Sequence, residues 1–246
     1  MRVQKWTILC ILVWVGSGRD SCFPFNLAFT SLKFSNKKVI IWDWNGTLLD
    51  DVGICVSCMN EVLSKRNIPQ LNAERYRDIF TFPVKDYYQN AGFDFEKEDF
   101  EKPAMEFISL YYKAIHQAKL FSCIESVLTS FQKKGLRQLV LSAMEHDNLV
   151  SSLKSKGIFN FFSEVSGMTD HYAHSKLEIG QALLAGESSF KREEMLLIGD
   201  TLHDLEVALE LGIDCVLIAR GHQSKERLLK ETDMVFDKLS DVADLI

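Results

Sequence analysis

Short, largely apolar runs recur along the chain, and several of them end at a polar or acidic residue. Val39-Ile40-Ile41-Trp42 runs into Asp43, Leu136 to Leu141 is followed by Ser142, and Met195-Leu196-Leu197-Ile198 is followed by Gly199-Asp200. Runs this short, without polar alternation, predict strands buried on both faces. Cys215-Val216-Leu217-Ile218 predicts another strand, Glu164-Val165-Ser166 a short one, and Met234-Val235-Phe236 the last. Helical spacing fills the intervals, up to Lys156, from Ser175 to Leu184 and from Leu202 to Leu211. From residue 136 onwards this alternation predicts right-handed crossovers and a parallel sheet covered on both sides. Sites in such sheets lie beyond the carboxyl ends of the strands. Asp43, Ser142 and Asp200 all fall there and should converge on one crevice.

The interval between the first two strands is different. Residues 53–66 show helical periodicity ending near Asn67-Ile68-Pro69, and residues 72–118 are helix-rich, broken by Pro83 and Gly92. Residues 53–135 are too long for a simple crossover and read as a helical insert seated over the crevice as a cap. Residues 37–52 and 136–246 then form an α/β core of three layers, and residues 1–36 are an extension. That extension begins like a signal peptide: Arg2 and Lys5 precede the apolar run Trp6 to Val15, and Gly16-Ser17-Gly18 follows. The run is short for a bilayer span, so stable membrane insertion is not expected.

Composition narrows the partners. Of 246 residues 47% are hydrophobic and 25% charged, with a net charge of −6, which gives no general attraction to nucleic acid or anionic membrane. Six scattered cysteines are not a disulfide framework. Cys55 and Cys58 could form a redox pair. The simpler reading places them, with Ile54, Met59 and Val62, on the apolar face of a helix. Removing residues 1–18 would leave five cysteines, an odd number. A cytoplasmic location is therefore expected, with export as the alternative.

Four polar motifs carry the candidate chemistry, and each has a plainer explanation. Asn45-Gly46, inside Asp43-Trp44-Asn45-Gly46-Thr47-Leu48, is also a strong hairpin signal. Ser142, followed by Ala143, could be a turn residue or a helix cap. Lys176, just inside a helix, would ordinarily be solvated. In Gly199-Asp200-Thr201-Leu202-His203-Asp204, Asp200 or Thr201 could cap the next helix. Yet two carboxylates four residues apart after a buried strand also suit a hard cation. Asp170, His171 and His174 have ligand-like spacing, but no matching thiolate or carboxylate cluster accompanies them.

Taken together and in order, these motifs resemble those of the haloacid dehalogenase-like superfamily, over residues 37–246. The insert looks like the cap of its phosphoglycolate-phosphatase-like branch. The resemblance implies a Rossmann-like parallel core and a phosphatase acting through an aspartyl-phosphate on Asp43. It implies Mg²⁺ held by Asp43, the Asn45 carbonyl and Asp200, with Asp204 placing water or a neighbouring ligand. It further implies that Gly46, Thr47, Ser142, Ala143 and Lys176 bind the phosphate, with Ser142 and Lys176 acting in catalysis. The expected partner is a small phosphorylated metabolite, whose anionic end Arg75, Arg77 or Lys85 could meet. The protein is expected as a monomer or homodimer.

One position departs from the pattern. Phosphatases of this class usually carry a second Asp where this chain has Asn45. An amide neither protonates a leaving oxygen nor activates water. The alternatives are therefore a phosphometabolite-binding protein with low turnover, or a phosphotransferase or mutase. His203 or a cap residue could supply the missing proton transfer.

Overall fold

The computed structural model describes residues 34–168 and 175–246. The signal-like segment and the Asp170, His171 and His174 group lie outside the described residues. The strands are β1 (Val39–Trp42), β2 (Leu49–Asp50), β3 (Lys119–Leu120), β4 (Arg137–Glu145), β5 (Glu164–Met168), β6 (Met195–Gly199), β7 (Asp214–Ile218) and β8 (Val235–Phe236). The helices are α1 (Val52–Ser64), α2 (Ala73–Ile79), α3 (Val84–Ala91), α4 (Glu101–Ala114), α5 (Ile124–Lys133), α6 (His146–Ser155), α7 (Lys176–Gly186), α8 (Leu202–Leu211), α9 (Lys225–Leu228) and α10 (Leu239–Ala243).

Six strands form a parallel sheet in the order β5-β4-β1-β6-β7-β8. Its apolar runs follow from where the side chains go. Ile40, Trp42, Val140, Leu196 and Ile198 enter one core cluster, whereas Val39, Ile41, Leu139, Leu197 and Met195 enter the opposite one. Successive side chains alternate between faces. With helices on both faces, neither set meets water. The α/β Rossmann-like expectation holds.

β2 and β3 form a separate antiparallel ribbon, with Leu49 opposite Leu120 and Asp50 opposite Lys119. The chain leaves the core along one strand and returns along the other. Between them α1–α4 surround their own cluster, which includes Val52, Met59, Leu63, Tyr76, Tyr87 and Tyr88. Cys55 and Cys58 are buried free thiols on α1, as apolar-face residues would be.

Two expected boundaries shift. Helix α5, read from sequence as part of the insert, packs on the sheet instead. Ile124, Val127, Leu128 and Phe131 join the Trp42 cluster, and the Phe131 ring stacks 5.8 Å from Trp42. Helical periodicity is the same whichever body the apolar face meets. Strand β4 also runs past Ser142 to Glu145. Leu141 pairs with Ser166 but Glu145 with Met168, so β4 carries extra residues in a bulge. Gly167 makes room for it: a Cβ there would lie 2.6 Å from the Met144 carbonyl oxygen. Ser142 thus sits at a bulge within the strand rather than beyond its end. No helix among the described residues is long and apolar enough to cross a membrane.

The insert is fastened by Arg66, just beyond α1. Its guanidinium donates to both oxygens of Glu98, at 2.5 and 3.0 Å, and to Glu106 at 3.0 and 3.2 Å. These bonds hold Glu98 down to about 2 and lower Glu106 as well. A depressed carboxyl stabilises the fold above its unfolded value, here 4.5, and that contribution is lost as pH falls towards the folded value. The groups are near the surface, so the contribution is about 1 kcal/mol. Urea unfolding between pH 5 and pH 3, approximate limits set by those values, should show stability falling, with a shallower slope in Arg66→Met.

Candidate functional site

Asp43 directly follows β1, and its backbone N–H still donates to the Ile198 carbonyl at 2.9 Å. Because β1 is paired in parallel with β4 on one side and β6 on the other, the segment is not one arm of a hairpin. The Asn45-Gly46 turn instead carries the chain from the sheet edge into β2. Asp200 emerges from β6 alongside. Oxygens of Asp43, Asp200 and Asp204, all buried, lie within 4.8 Å of one another.

Lys176 opens α7, behind a Ser175–Glu178 capping box. Its side chain is buried, against the usual habit of a lysine at a helix start. The ammonium donates to Asp43 Oδ1 and Asp204 Oδ1, each at 2.5 Å. Burial alone would lower its pKa, but Asp204 and Asp43 together raise it above the ordinary lysine value. Asp204 serves its helix as well. Its Oδ2 accepts from the backbone N–H of Asp200 at 3.2 Å, the N–H of Thr201 at 3.0 Å and the Thr201 hydroxyl at 2.7 Å. The plain capping reading of Thr201 is correct, because its hydroxyl accepts from the Asp204 N–H at 3.4 Å. It coexists with the charge cluster, because one carboxylate anchors both Lys176 and the Asp200 loop.

Burial pushes Asp43 up to about 6 and Asp200 up to about 8, and the neighbouring carboxylates add to both. Such a group of oxygen donors with surplus negative charge fits a hard divalent cation. Around Asp200 the orientation is fixed. Thr47 donates its hydroxyl to Oδ1 at 3.1 Å and the His222 N–H donates to Oδ2 at 2.6 Å. Gly46 has φ +75°, and a Cβ on it or on Gly221 would collide with the Asp200 carboxylate. The chain packs that close only because both positions lack a side chain.

A second buried group was not visible in the motifs. Asp51 accepts from the Gly46 N–H at 3.0 Å, the Asn45 amide at 3.0 Å and the Tyr111 hydroxyl at 2.6 Å. His222 Nε2 lies 3.3 Å from Asp51, and its Nδ1 is 2.8 Å from the Tyr76 hydroxyl. Burial opposes the charge on Asp51, but His222 and these donors outweigh it and lower its pKa. Burial likewise opposes charge on His222, yet Asp51 and the nearby acids raise it to about 9. Oxygen, sulfur and nitrogen of Asp51, Cys55 and His222 lie within metal-ligand reach of one another. Hydrogen bonds among these groups and their neighbours already engage the carboxylate and the imidazole. Only the acid after Leu49-Asp50 and the Gly-His pair after β7 could have hinted at this group.

Between cap and core lies a cavity of about 450 Å³. Asp43, Asn45, Ser142, Ala143, Lys176, Asp200 and Asp204 line it, with Asp51 and His222. Ser142 accepts from the Met144 N–H at 3.1 Å, which turns its hydroxyl within the bulge.

The profile of haloacid dehalogenase-like hydrolases matches residues 40–218. The chain belongs to the haloacid dehalogenase-like hydrolase family. It is 21% identical over 216 residues to a phosphoglycolate phosphatase of Pectobacterium atrosepticum, covering 84% of this chain and 91% of that one. The fold is similar to a haloacid dehalogenase-like hydrolase from Streptococcus pneumoniae, with a TM-score of 0.73, 22% identity, and 85% and 98% of the two chains covered. It is similar also to protein tyrosine kinase A of Mycobacterium tuberculosis, with a TM-score of 0.72, 21% identity, and 85% and 98% covered.

In this haloacid dehalogenase-like hydrolase the cap is latched to the core beside the site. Arg77 donates to the Gly221 carbonyl at 2.9 Å, and Arg227 donates to the carbonyls of Arg77 and Phe80 at 3.0 and 2.6 Å. Arg77 is thus a latch, Arg75 is exposed, and Lys85 lies 5.7 Å over the Phe95 ring. None of the three lines the cavity. His203 does line it, stacked on Phe82 with centroids 4.6 Å apart.

Raised carboxyl pKa values have a direct consequence for cation binding. Burial raises both Asp43 and Asp200, so protons compete with a divalent cation for the cluster. Calorimetric titration with Mg²⁺ should show proton release on binding, with affinity rising as pH rises. Gly221→Ala, by displacing Asp200, should weaken binding by about 10–100-fold while leaving the circular dichroism unchanged.

Proposed function

We propose that this protein is a Mg²⁺-dependent phosphatase of small phosphorylated compounds, working through an aspartyl-phosphate on Asp43. The observation that carries the reading is one buried carboxylate, Asp43, facing the cavity with Lys176 on one of its oxygens and Asp200 beside it. Phosphatases among the relatives agree with it.

The Asp43 carboxylate, the Asn45 carbonyl and Asp200 would hold the cation, which offsets charge on the phosphate oxygens. Lys176 keeps Asp43 ionised and aimed, and meets the phosphate as a second cation. Ser142 and the Ala143 N–H bind the transferring group, whereas the Gly46 N–H is already donated to Asp51. An Asp43 oxygen forms a bond to phosphorus as the ester P–O bond breaks, and the leaving oxygen keeps the electron pair. Water then attacks the phosphorus of the acyl phosphate, releasing inorganic phosphate and restoring Asp43. The cap excludes bulk water between these steps.

Asn45 bears on both half-reactions. Its amide donates to Asp51 and lies 2.6 Å from the Tyr111 hydroxyl, so it is held in place by a carboxylate. Loss of a general acid–base is worth about 10²–10⁴-fold, and leaving groups that need no proton suffer less. A phosphotransferase reading has the same origin, because an intermediate that water attacks slowly survives long enough to meet another acceptor.

With Mg²⁺ the protein should release phosphate from an aryl phosphate, and chelator or Asp43→Asn should abolish it. Binding without release would favour a low-turnover binding protein, and transfer to added alcohol exceeding hydrolysis would favour a phosphotransferase. Asn45→Asp should improve alkyl phosphates selectively. In this site, however, the new carboxylate would face Asp51 across a 3.0 Å contact. The gain, up to about 10²-fold, should therefore be fuller in Asn45→Asp with Asp51→Ser than in the single variant.

A further inference from the structure

The cavity's upper wall differs in kind from its floor. Phe80, Phe82, Phe107, Tyr111 and Tyr112 line it from the cap, with Met144 from the core. Phe107 and Tyr111 stack 5.8 Å apart at 11°, presenting flat ring surface. Charge in the lining is lopsided. Glu145 joins Asp43, Asp51, Asp200 and Asp204 as a fifth carboxyl group, and Lys176 is the one lysine or arginine among the described lining residues. That lysine is already shared between Asp43 and Asp204. The cap basic residues are elsewhere, so no free cation in the described wall waits for a carboxylate on the substrate. A substrate with a second anionic group would meet net repulsion and an apolar surface.

Proton supply gives an independent constraint. Asn45 has no acidic proton. Asp51 is taken up by hydrogen bonds from Gly46, Asn45 and Tyr111, and both ring nitrogens of His222 have partners. The other imidazole of the lining, His203, is stacked on Phe82 with its Nδ1 3.4 Å from Glu206, and a leaving oxygen that does not meet it departs largely as its anion. A phenol, with a pKa near 10 as in tyrosine, does this far more readily than an alkanol. A cationic alkyl phosphate such as phosphocholine would suit aromatic faces and acids, but its leaving group is an alkoxide. An aryl ester satisfies both the wall and the missing proton, as an alkyl ester does not.

We propose, building on the phosphatase reading, that the substrate is an uncharged aryl phosphate monoester, its phosphate on the Asp43 floor and its ring against the cap aromatics. The bond from Asp43 to phosphorus forms as the bond to the phenolic oxygen breaks, and the phenolate takes its proton from solvent. The cavity of about 450 Å³ is within the range of about 300–1,000 Å³ found for small-molecule sites.

The test compares kcat/KM of the full chain with Mg²⁺ on phenyl phosphate, phosphoglycolate, phosphocholine and acetyl phosphate. Acetyl phosphate has a good leaving group but no ring, so it reports on the chemistry alone. Phenyl phosphate should exceed phosphoglycolate and phosphocholine by about 10²-fold or more. Phe107→Ala should lower the phenyl-to-acetyl preference by about 2–10-fold. Binding is measured separately, by calorimetry with two inert phosphonates. Benzylphosphonate should bind more tightly than phosphonoacetate, and this holds whether or not the protein turns over. Equal or tighter binding of phosphonoacetate overturns the proposal, as does phosphocholine or phosphoglycolate matching phenyl phosphate. Failure to hydrolyse any of the four, acetyl phosphate included, counts against the phosphatase reading instead, and the phosphonate comparison still decides the ligand class.

Discussion

Four carboxylates are buried where the strands of one sheet end, and the rest of the site follows from how that charge is balanced. Asp43, Asp51, Asp200 and Asp204 are each at most 6% exposed. Unpaired, such groups would cost several kcal/mol apiece and would protonate instead. Two of the four are compensated within the chain. Asp204 has Lys176 and three donors from its own helix start, and Asp51 has His222 and the donors of the turn at 45–46. Asp43 shares Lys176, and among the described residues Asp200 accepts from the Thr47 hydroxyl and one backbone N–H. Their raised pKa values mark where charge is still unbalanced, which is where a hard cation fits. Positive charge is thus divided between a fixed ammonium and a place for an exchangeable ion.

The same balance accounts for the local chemistry at position 45. An aspartate there would stand against Asp51 with no cation between them. An amide can donate where a carboxylate can only accept, so Asn45 and Asp51 are mutually compatible as Asp and Asp would not be. The change at 45 and the buried acid at 51 are one arrangement, and Tyr111 brings the cap into it. A cap side chain hydrogen-bonded to the turn that follows Asp43 ties cap position to site geometry. Arg77, Arg227 and Gln223 add further hydrogen bonds between cap and core.

Much of this was legible in the chain because strand ends are local signals. A run such as Val39 to Trp42 announces a strand buried on both faces, and the acid at its end announces a site. The allocation of α5 was not legible, because the apolar face of Ile124, Val127, Leu128 and Phe131 has the same period whether it meets the cap or the sheet. Lys176 looked like a solvated residue until the fold brought two carboxylates to it. Asp51 and His222 escaped notice for a related reason: they are 171 positions apart in sequence, from the two residue numbers, and the junction of β2 and α1 meets the loop after β7 only in the fold. Pairs of that kind leave no trace in spacing.

The polarity of the cavity carries the argument furthest. Charge compensation is complete on the floor only when a cation and a phosphate are both accounted for, so the floor selects for phosphate whatever group it is attached to. Discrimination must then come from above. There the cap contributes rings rather than charges, and two of its arginines are spent on structure: Arg66 on Glu98 and Glu106, Arg77 on the Gly221 carbonyl. A cap built to read a carboxylate would direct at least one of these guanidiniums inward, since a bidentate arginine is the strongest recogniser of that group. Both being turned to other partners, the energy available to hold a substrate's non-phosphate part is that of apolar and aromatic contact, which rewards flat, uncharged surface.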